Sequence, residues 1–240
     1  MAAVAALSIV CKTPRPGASK TRLQPLVGPD DAAALSACFI RDVAAAVDAV
    51  PAAVGRQGYA IYAPEGSEAA LRPLLPEGWG MVCRQEADFG TVLFSAIEGF
   101  LAAGHDCALV INSDSPTLPP LLVCAAIAAL RAPGDRLVLG PATDGGYTLV
   151  GLKQPHARLF QDIRWSTPEV LPTTLARAAE IGLPVTLLPV WYDIDDAASF
   201  ALLEAELAGH ALPFAPGLAG GAAAHTRAFL AGRRGRAGGA

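Results

Sequence analysis

Short apolar runs alternate with longer stretches of helical periodicity along most of the 240-residue chain. The short runs are apolar almost throughout, as in strands buried on both faces, whereas the longer stretches place apolar residues three or four positions apart. The pattern predicts strands over residues 4–11, 59–63, 80–84, 108–112, 137–140, 147–152 and 185–190. It predicts helices over residues 30–50, 67–75, 90–103, 119–131, 168–181 and 197–208.

Regular alternation of strands and helices is typical of a mostly parallel sheet with helices on both faces. Strands 137–140 and 147–152 break the rule, because a turn as short as theirs cannot connect parallel neighbours. We therefore expect an α/β, Rossmann-like three-layer sandwich with a mixed, mostly parallel sheet, forming a single domain over residues 1–209. Residues 210–240 are rich in Gly, Ala and Arg, which predicts a mobile tail.

Overall charge and composition exclude several classes of protein. The net charge of −4 gives no global basic field, so no nucleic-acid partner is expected. No uninterrupted apolar stretch reaches the roughly 20 residues that span a bilayer. The five cysteines form no C-x-x-C pair and are odd in number, which favours buried thiols in a reducing cytoplasm. Cys11 has no histidine nearby in sequence, so a core thiol is favoured over a nucleophile.

Five aspartates follow the ends of apolar, strand-like runs, namely Asp114, Asp144, Asp193, Asp195 and Asp196. The carboxyl ends of parallel strands lie at one edge of a sheet, where ligands bind in open α/β folds. Carboxylates gathered there repel one another unless a hard cation lies between them. The sequence therefore predicts a Mg²⁺ (or Mn²⁺) site and an enzyme that depends on it.

These aspartates also have ordinary structural interpretations. Asp114 precedes a helix opened by Pro119 and is a residue type that caps helices. Asp144 begins an Asp-Gly-Gly turn, which is common in hairpins, although paired glycines also let a ligand approach the backbone. Asp193 and Asp195 alternate along an extended segment and so point to the same side, where such a pair chelates a cation.

A basic loop follows the first predicted strand. It is shaped by Pro14, Pro16 and Gly17, and it carries four cations, Lys12, Arg15, Lys20 and Arg22. Clustered cations and backbone N–H groups after a strand are what a phosphate chain requires, although neither G-x-x-x-x-G-K nor G-x-G-x-x-G occurs here. An ordinary solvated loop is an equally good interpretation on charge alone.

The ordered set of motifs resembles one known family over about residues 4 to 200. The motifs are Lys12-x-Pro14-x-Pro16-Gly17-x-x-Lys20-Thr-Arg22-Leu23, Ser113-Asp114-Ser-Pro116-Thr-Leu-Pro, Gly140-Pro-Ala-x-Asp144-Gly-Gly-Tyr147, Trp165-Ser-Thr167 and Asp193-Ile-Asp195. This set is similar to that of the DUF2064 family in the nucleotide-diphospho-sugar transferase (GT-A) superfamily. The resemblance implies the Rossmann-like mixed sheet of that superfamily.

The motifs also resemble those of 2-phospholactate guanylyltransferases, and the resemblance implies roles for individual residues. It makes Asp114, Asp193 and Asp195 metal ligands, and Lys20 and Arg22 phosphate-binding cations, with Lys20, Arg22 and Asp114 acting in catalysis. Substrate contacts are expected from Lys12, Pro14, Gly17, Gln85, Gly90, Asp144, Gly145, Gly146, Tyr147, Trp165, Ser166 and Thr167. The run from Gln85 to Gly90 departs from the family by lacking an arginine.

The expected activity is Mg²⁺-dependent attack by a small acidic or phosphorylated acceptor on a nucleoside triphosphate (NTP), with release of pyrophosphate. The cation-rich first loop and the D-x-P form around Asp114 favour this activity. Glycosyl transfer from a nucleotide-diphospho-sugar (NDP-sugar) is the alternative. A nucleotide-binding protein without catalytic activity is disfavoured, because so many carboxylates are predicted at one edge.

Overall fold

The computed structural model describes residues 3–86 and 88–237. Its strands are β1 (Ala5–Lys12), β2 (Arg56–Ala63), β3 (Gly80–Cys83), β4 (Ala108–Asn112), β5 (Leu137–Pro141), β6 (Tyr147–Leu152) and β7 (Val185–Leu187). Its α-helices are α1 (Gln24–Val27), α2 (Pro29–Asp48), α3 (Glu68–Leu71), α4 (Phe89–Ala102), α5 (Pro120–Arg131), α6 (Val170–Glu180), α7 (Ala197–Leu207) and α8 (Ala224–Ala237). Within these residues, no helix combines the length and the apolar character needed to cross a membrane.

All seven strands form one sheet in the order β3-β2-β1-β4-β6-β5-β7. Strand β6 runs antiparallel to both of its neighbours, β4 and β5, whereas the other pairs are parallel. The predicted mixed, mostly parallel sheet is confirmed. Its one reversed strand follows from the short turn at residues 142–146, which leaves no room for a crossover helix.

The direction of the connections changes between β1 and β4, which are neighbours in the centre of the sheet. From β1 the chain moves outward to β2 and β3, and from β4 it moves to the opposite half of the sheet. In open α/β sheets such a switch point leaves a crevice beyond the carboxyl ends of the two strands. The loop that follows Lys12 and the loop that follows Asn112 therefore border the same crevice.

Burial on both faces of the sheet produces three layers. Along β1, Leu7 and Ile9 pack into one apolar cluster together with α2 and α5, whereas Ala6 belongs to a second cluster that includes α4. Successive side chains of a strand point to opposite faces, so a strand buried on both sides must be apolar throughout. This explains why β1 is apolar from Ala5 to Cys11 except at Ser8, whose buried hydroxyl donates to the carbonyl oxygen of Leu109.

The last strand is shorter than predicted. The sequence pattern continues to residue 190, but β7 ends at Leu187. Pro189 has no N–H to donate to a neighbouring strand, which ends regular pairing. Contact with the sheet resumes at Trp191, which forms a parallel bridge with Ala142.

The C-terminal residues differ from the mobile tail predicted for 210–240. Residues 224–237 form α8, which packs against α2 and buries Thr226 and Leu230. The abundance of Gly, Ala and Arg suggested a solvated segment, although buried residues recur there at helical spacing. The sequence also did not identify the residue of α2 that caps α8. That residue is Asp42, whose buried carboxylate accepts hydrogen bonds from the backbone N–H groups of His225, at 2.9 Å, and Thr226, at 2.8 Å. Residues 238–240 lie outside the described part of the chain.

We expect Asp42→Ala to destabilise the protein by about 2 kcal/mol, because two N–H groups at the start of α8 lose their acceptor. Asp42→Asn keeps one acceptor oxygen and should cost less. Urea denaturation gives the free energy of unfolding, and limited proteolysis shows whether α8 detaches first. Unchanged stability of Asp42→Ala would contradict the capping role.

Candidate functional site

Backbone hydrogen bonds join three loops at the carboxyl edge of the sheet. The N–H of Ile194 donates to the carbonyl oxygen of Asp114 at 2.9 Å, which links the segment after β7 to the loop after β4. The N–H of Trp191 donates to Pro141, and the N–H of Thr143 donates to Trp191. Four of the five aspartates singled out in the sequence are thereby brought close together: Asp114, Asp144, Asp193 and Asp195.

Lys20 lies between two of these aspartates. Its ammonium nitrogen is 2.8 Å from Oδ1 of Asp114 and 2.9 Å from Oδ1 of Asp195. It also donates to the carbonyl oxygen of Ile194 at 2.6 Å. An ammonium group has three N–H bonds, so these three acceptors use all of them. Lys20 therefore holds the loops after β1, β4 and β7 together.

Lys20 is charged despite its burial. Its side chain is only 7% exposed, and burial alone would lower the pKa of the ammonium group. The negative charges of Asp114 and Asp195 outweigh burial, so the pKa of Lys20 is raised above its ordinary value of 10.5. The Lys20 backbone has φ of 44°, a left-handed conformation that costs a side-chain-bearing residue about 1–2 kcal/mol. The three side-chain contacts of Lys20 help to hold the loop in that conformation.

Asp193 lies in a buried environment with several carboxylates nearby. Burial, together with the charges of Asp144, Asp195 and Asp114, raises the pKa of Asp193 from 3.8 to about 7. The positive charge of Lys20 opposes this increase but does not cancel it. The edge therefore retains an excess of negative charge that a further cation would stabilise.

The structure separates the capping aspartate from the others. Helix α5 has Pro119 at its N-cap and no side-chain cap, so Asp114 does not cap it. Asp196 instead caps α7, since its carboxylate accepts from the N–H of Ser199 at 2.9 Å in a capping box. That bond is the main reason the pKa of Asp196 is lowered. The carboxylate of Asp196 therefore serves a helix end.

The turn at Asp144 has the geometry of an ordinary Asx turn. Oδ1 of Asp144 accepts from the N–H of Gly146 at 2.8 Å, and Asp144 is exposed. Gly145 has φ of 92°, and a side chain there would lie 2.5 Å from the carbonyl oxygen of Pro168. The absence of a side chain at Gly145 is therefore required by turn conformation and packing. A contact of this turn with substrate stays a prediction.

An aromatic group lies beside this turn. Trp165 contacts Phe89 edge-on, with ring centroids 5.0 Å apart, and Tyr147 in the same way at 6.4 Å. The segment is joined to the turn by the N–H of Leu171, which donates to Gly145. Next to Trp165, Ser166 has φ of 61° and the Thr167 hydroxyl donates to the carbonyl oxygen of Arg164. Residues 144–147 and 165–167, which were predicted to contact substrate, are thus neighbours.

Gln85 and Gly90 both have structural contacts outside the acidic edge. The amide of Gln85 donates to Glu65 at 3.2 Å, among the loops that follow β2 and β3. Gly90 is buried at the start of α4, where a side chain would lie 2.3 Å from the carbonyl oxygen of Phe160. This contact accounts for the glycine by helix packing. Within the described residues, the contacts of Gln85 and Gly90 are thus made away from the acidic edge.

The remaining cations of the loop after β1 lack the partners that Lys20 has. Lys12, Arg15 and Arg22 are exposed, and no described carboxylate forms an ion pair with any of them. The loop turns at Gly17, which has φ of 77°, after Pro14 and Pro16. Together with Ala63 and Pro64, after β2, the loop lines a cavity of about 310 Å³ that includes Lys12 and Arg15.

Cys11 lies near the end of β1 but is a poor nucleophile. Burial, together with the charge of Asp114, raises the pKa of its thiol to about 12. The group therefore stays protonated at neutral pH, and thiols act as nucleophiles only when deprotonated. The interpretation of Cys11 as a core residue agrees with this environment.

A buried hydrogen-bond chain behind the aspartates was missed by sequence reasoning. The Tyr192 hydroxyl donates to Glu206 of α7 and accepts from Thr117 at 3.4 Å. It links the residue next to Asp193 with the loop that carries Asp114. A tyrosine beside the D-x-D segment was the only available signal, because Glu206 resembled a solvated helix residue. The Ile194 carbonyl was missed because backbone atoms have no sequence signature.

Solved structures share this fold. A protein from Desulfovibrio desulfuricans G20, provisionally described as a nucleotide-diphospho-sugar transferase, matches with a TM-score of 0.80 and 26% identity, covering 96% of this chain and 95% of its own. CMP:2-keto-3-deoxy-manno-octonic acid synthetase complexed with CTP matches at 0.54 and 13% identity, covering 85% and 98%. The 4-diphosphocytidyl-2C-methyl-D-erythritol synthase of Anaerococcus prevotii matches at 0.54 and 10%, covering 86% and 96%. The fold is that of nucleotidyltransferases and nucleotide-diphospho-sugar transferases.

The family follows from the sequence match. The model of DUF2064, described as an uncharacterized protein conserved in bacteria, matches residues 42–167. The chain belongs to this family, as its motifs predicted. No significant match was found among curated proteins.

We expect Asp196→Ala to lower the free energy of unfolding by about 1 kcal/mol, because the first turn of α7 loses its cap. Asp196→Asn keeps an acceptor oxygen and should remain close to the wild type. Thermal or urea denaturation of the two variants side by side measures the difference. If Asp196→Ala and Asp196→Asn are equally stable, the capping box does not stabilise α7.

Proposed function

We propose that this protein is a Mg²⁺-dependent transferase that acts on a nucleotide. In the leading form of the proposal, it transfers a nucleotidyl group from an NTP to a small acidic or phosphorylated acceptor. The observation that carries the proposal is the pairing of two features at one crevice. Aspartates Asp114, Asp193 and Asp195 supply excess negative charge, and the adjacent loop offers the unpaired cations Arg15 and Arg22.

The donor chemistry fits a hard divalent cation. Carboxylate oxygens are the ligands that Mg²⁺ prefers, and the raised pKa of Asp193 indicates negative charge still to be offset. Among the described residues, no group of three His, Cys, Asp or Glu side chains encloses an ion by itself. Such a group is not required for Mg²⁺, because Mg²⁺ usually takes one or two protein carboxylates and completes its shell with water and substrate phosphates.

The same cation placement suggests how the chain would promote the reaction. Asp114, Asp193 and Asp195 would hold the ion, and Mg²⁺ when bound supplies charge neutralisation at phosphate oxygens. Arg15 and Arg22 would bind the outer phosphates, where guanidinium groups make strong paired hydrogen bonds to phosphate oxygens. Lys20 would hold Asp114 and Asp195 together before a cation binds, so that both carboxylates are already in place when the cation arrives.

In nucleotidyl transfer, an acceptor oxygen forms a bond to the α-phosphorus while the bond from that phosphorus to the bridging oxygen breaks. Pyrophosphate leaves with the electron pair of the broken bond. A carboxylate or phosphate oxygen of the acceptor is already negatively charged, so no side chain has to remove a proton from it. This is consistent with a site whose groups bind and position more than they exchange protons.

Glycosyl transfer from an NDP-sugar is the second candidate. It is favoured by the likeness to the Desulfovibrio protein, which is described provisionally as a nucleotide-diphospho-sugar transferase and covers nearly the whole chain. In that reaction the same ion and cations would stabilise the departing nucleoside diphosphate. The excess of unpaired cations in the loop after β1 suits three phosphates better than two, which is why we prefer nucleotidyl transfer.

Asp114→Asn and Asp195→Asn should each weaken Mg²⁺-dependent nucleotide binding, at least by the roughly 10–100-fold that loss of a residue supporting a metal ligand costs. Asp196→Asn makes the same chemical change beside Asp195 but removes no proposed metal ligand. Because it also removes a negative charge near Arg22, its nucleotide binding should be no weaker than that of the wild type. Isothermal titration with each NTP, with and without Mg²⁺, gives the affinities. Equal affinity in all three variants would refute the assignment of the metal ligands.

The reaction type is decided by its products. We expect the purified protein, with Mg²⁺, an NTP and a suitable acidic or phosphorylated acceptor, to release pyrophosphate. A panel of acceptors is screened by a pyrophosphate-coupled assay, while parallel reactions with NDP-sugars are monitored for nucleoside diphosphate. Turnover of an NDP-sugar without pyrophosphate from any NTP would replace our leading proposal with glycosyl transfer.

A further inference from the structure

We propose that Lys20 is an internal counter-ion that competes with the divalent cation for Asp114 and Asp195. A phosphate chain would then help the divalent cation to bind by giving the ammonium another anionic partner. This inference rests on the proposed function for the identity of the metal ligands. It changes the role of Lys20 from a phosphate-binding residue to a residue that controls when the metal can bind.

The first step of the argument is that Lys20 has no N–H left for a phosphate. Its three contacts, to Asp114, Asp195 and the Ile194 carbonyl, lie between 2.6 and 2.9 Å. The side chain is 7% exposed, so phosphate cannot reach the ammonium from solvent without a rearrangement. By contrast, Arg15 and Arg22 are exposed and have no described ion-pair partner.

The second step is that the ammonium and a divalent cation would bind the same two carboxylates. Lys20 contacts one oxygen of each carboxylate, and a cation that bridged Asp114 and Asp195 would lie within a few ångströms of the ammonium nitrogen. Like charges so close repel strongly in a partly buried site. Binding of the divalent cation is therefore opposed by Lys20 for as long as the ammonium stays between the two carboxylates.

The third step concerns what releases the ammonium. Lys20 lies in a left-handed backbone conformation, with φ of 44°, inside a loop whose neighbouring residues are exposed. Loss of its carboxylate contacts would allow the backbone to relax toward an ordinary conformation. A phosphate chain bound by Arg15 and Arg22 would offer the freed ammonium a new anionic partner. Metal and phosphate would then bind cooperatively, each raising the affinity for the other by the same factor.

The test measures Mn²⁺ binding in the absence of any phosphate, using electron paramagnetic resonance of free Mn²⁺ with the full chain. We expect Lys20→Gln to bind Mn²⁺ at least about tenfold more tightly than the wild type, since the competing charge is gone. Lys153→Gln removes the same charge at the opposite edge of the sheet, where Lys153 donates to the carbonyl oxygen of Ala132, so it should match the wild type. Equal or weaker Mn²⁺ binding by Lys20→Gln would overturn the inference.

Thermal denaturation provides a second readout, the rise in Tm on addition of Mn²⁺, which a purely structural role of Lys20 would not increase. Lys20→Gln and Lys20→Met should melt at a lower temperature than the wild type, and Mn²⁺ alone should raise their Tm more than that of the wild type. If a variant unfolds without metal, recovery of its fold by Mn²⁺ supports competition for one position. Failure of Mn²⁺ to recover it counts against the inference.

The outcomes also separate this inference from the proposed function. If Lys20→Gln gains Mn²⁺ affinity but the wild type turns over no NTP or NDP-sugar, the counter-ion role stands and the assigned reaction falls. If the wild type transfers a nucleotidyl group but Lys20→Gln gains no affinity, only the counter-ion role falls. Absence of Mn²⁺ binding by either protein, even with tripolyphosphate added, would remove both.

Discussion

Negative charge concentrated at one edge of the sheet is the constraint that the rest of the structure accommodates. Six strands run in one direction, so the loops that follow β1, β4, β5 and β7 meet at the same edge. They bring carboxylates together from segments far apart in sequence. Lys20 offsets part of that charge, while burial and the neighbouring carboxylates raise the pKa of Asp193. The backbone bond from Ile194 to Asp114 keeps the two acidic segments together in spite of their repulsion.

Much of this arrangement could be predicted from the sequence, because it depends on periodicity and chain direction. Continuous apolar runs identify strands buried on both faces, and alternation with helices fixes which end of each strand carries the aspartates. The short turn at Asp144 likewise identified the reversed strand. What could not be predicted depends on single contacts. Adjacent residues Asp195 and Asp196 have the same chemistry, and only the placement of Ser199 makes one of them a helix cap.

Motif residues in this family combine folding and chemistry, and the structure separates some of them. Gly90 and Gly145 were expected to contact substrate, yet each occupies a position where a side chain would collide with a backbone carbonyl. Lys20 was expected to bind phosphate, yet its three donors are directed to protein oxygens. Such residues are required by the local backbone or by packing, and that requirement alone explains why their types suit these positions. Among the described residues, Arg15 and Arg22 form no ion pair, although Arg22 lies near Asp196.

The contact between Lys20 and Asp195 joins residues 175 positions apart. Contacts of such long range form late in folding, since a large loop must close before they contribute. During synthesis, Lys20 leaves the ribosome early, whereas Asp193, Asp195 and the capping partner of Asp42 leave near the end. A nascent or truncated chain would therefore carry an unmatched lysine and no acidic edge. The acidic edge is accordingly absent from any fragment that ends before residues 193–195.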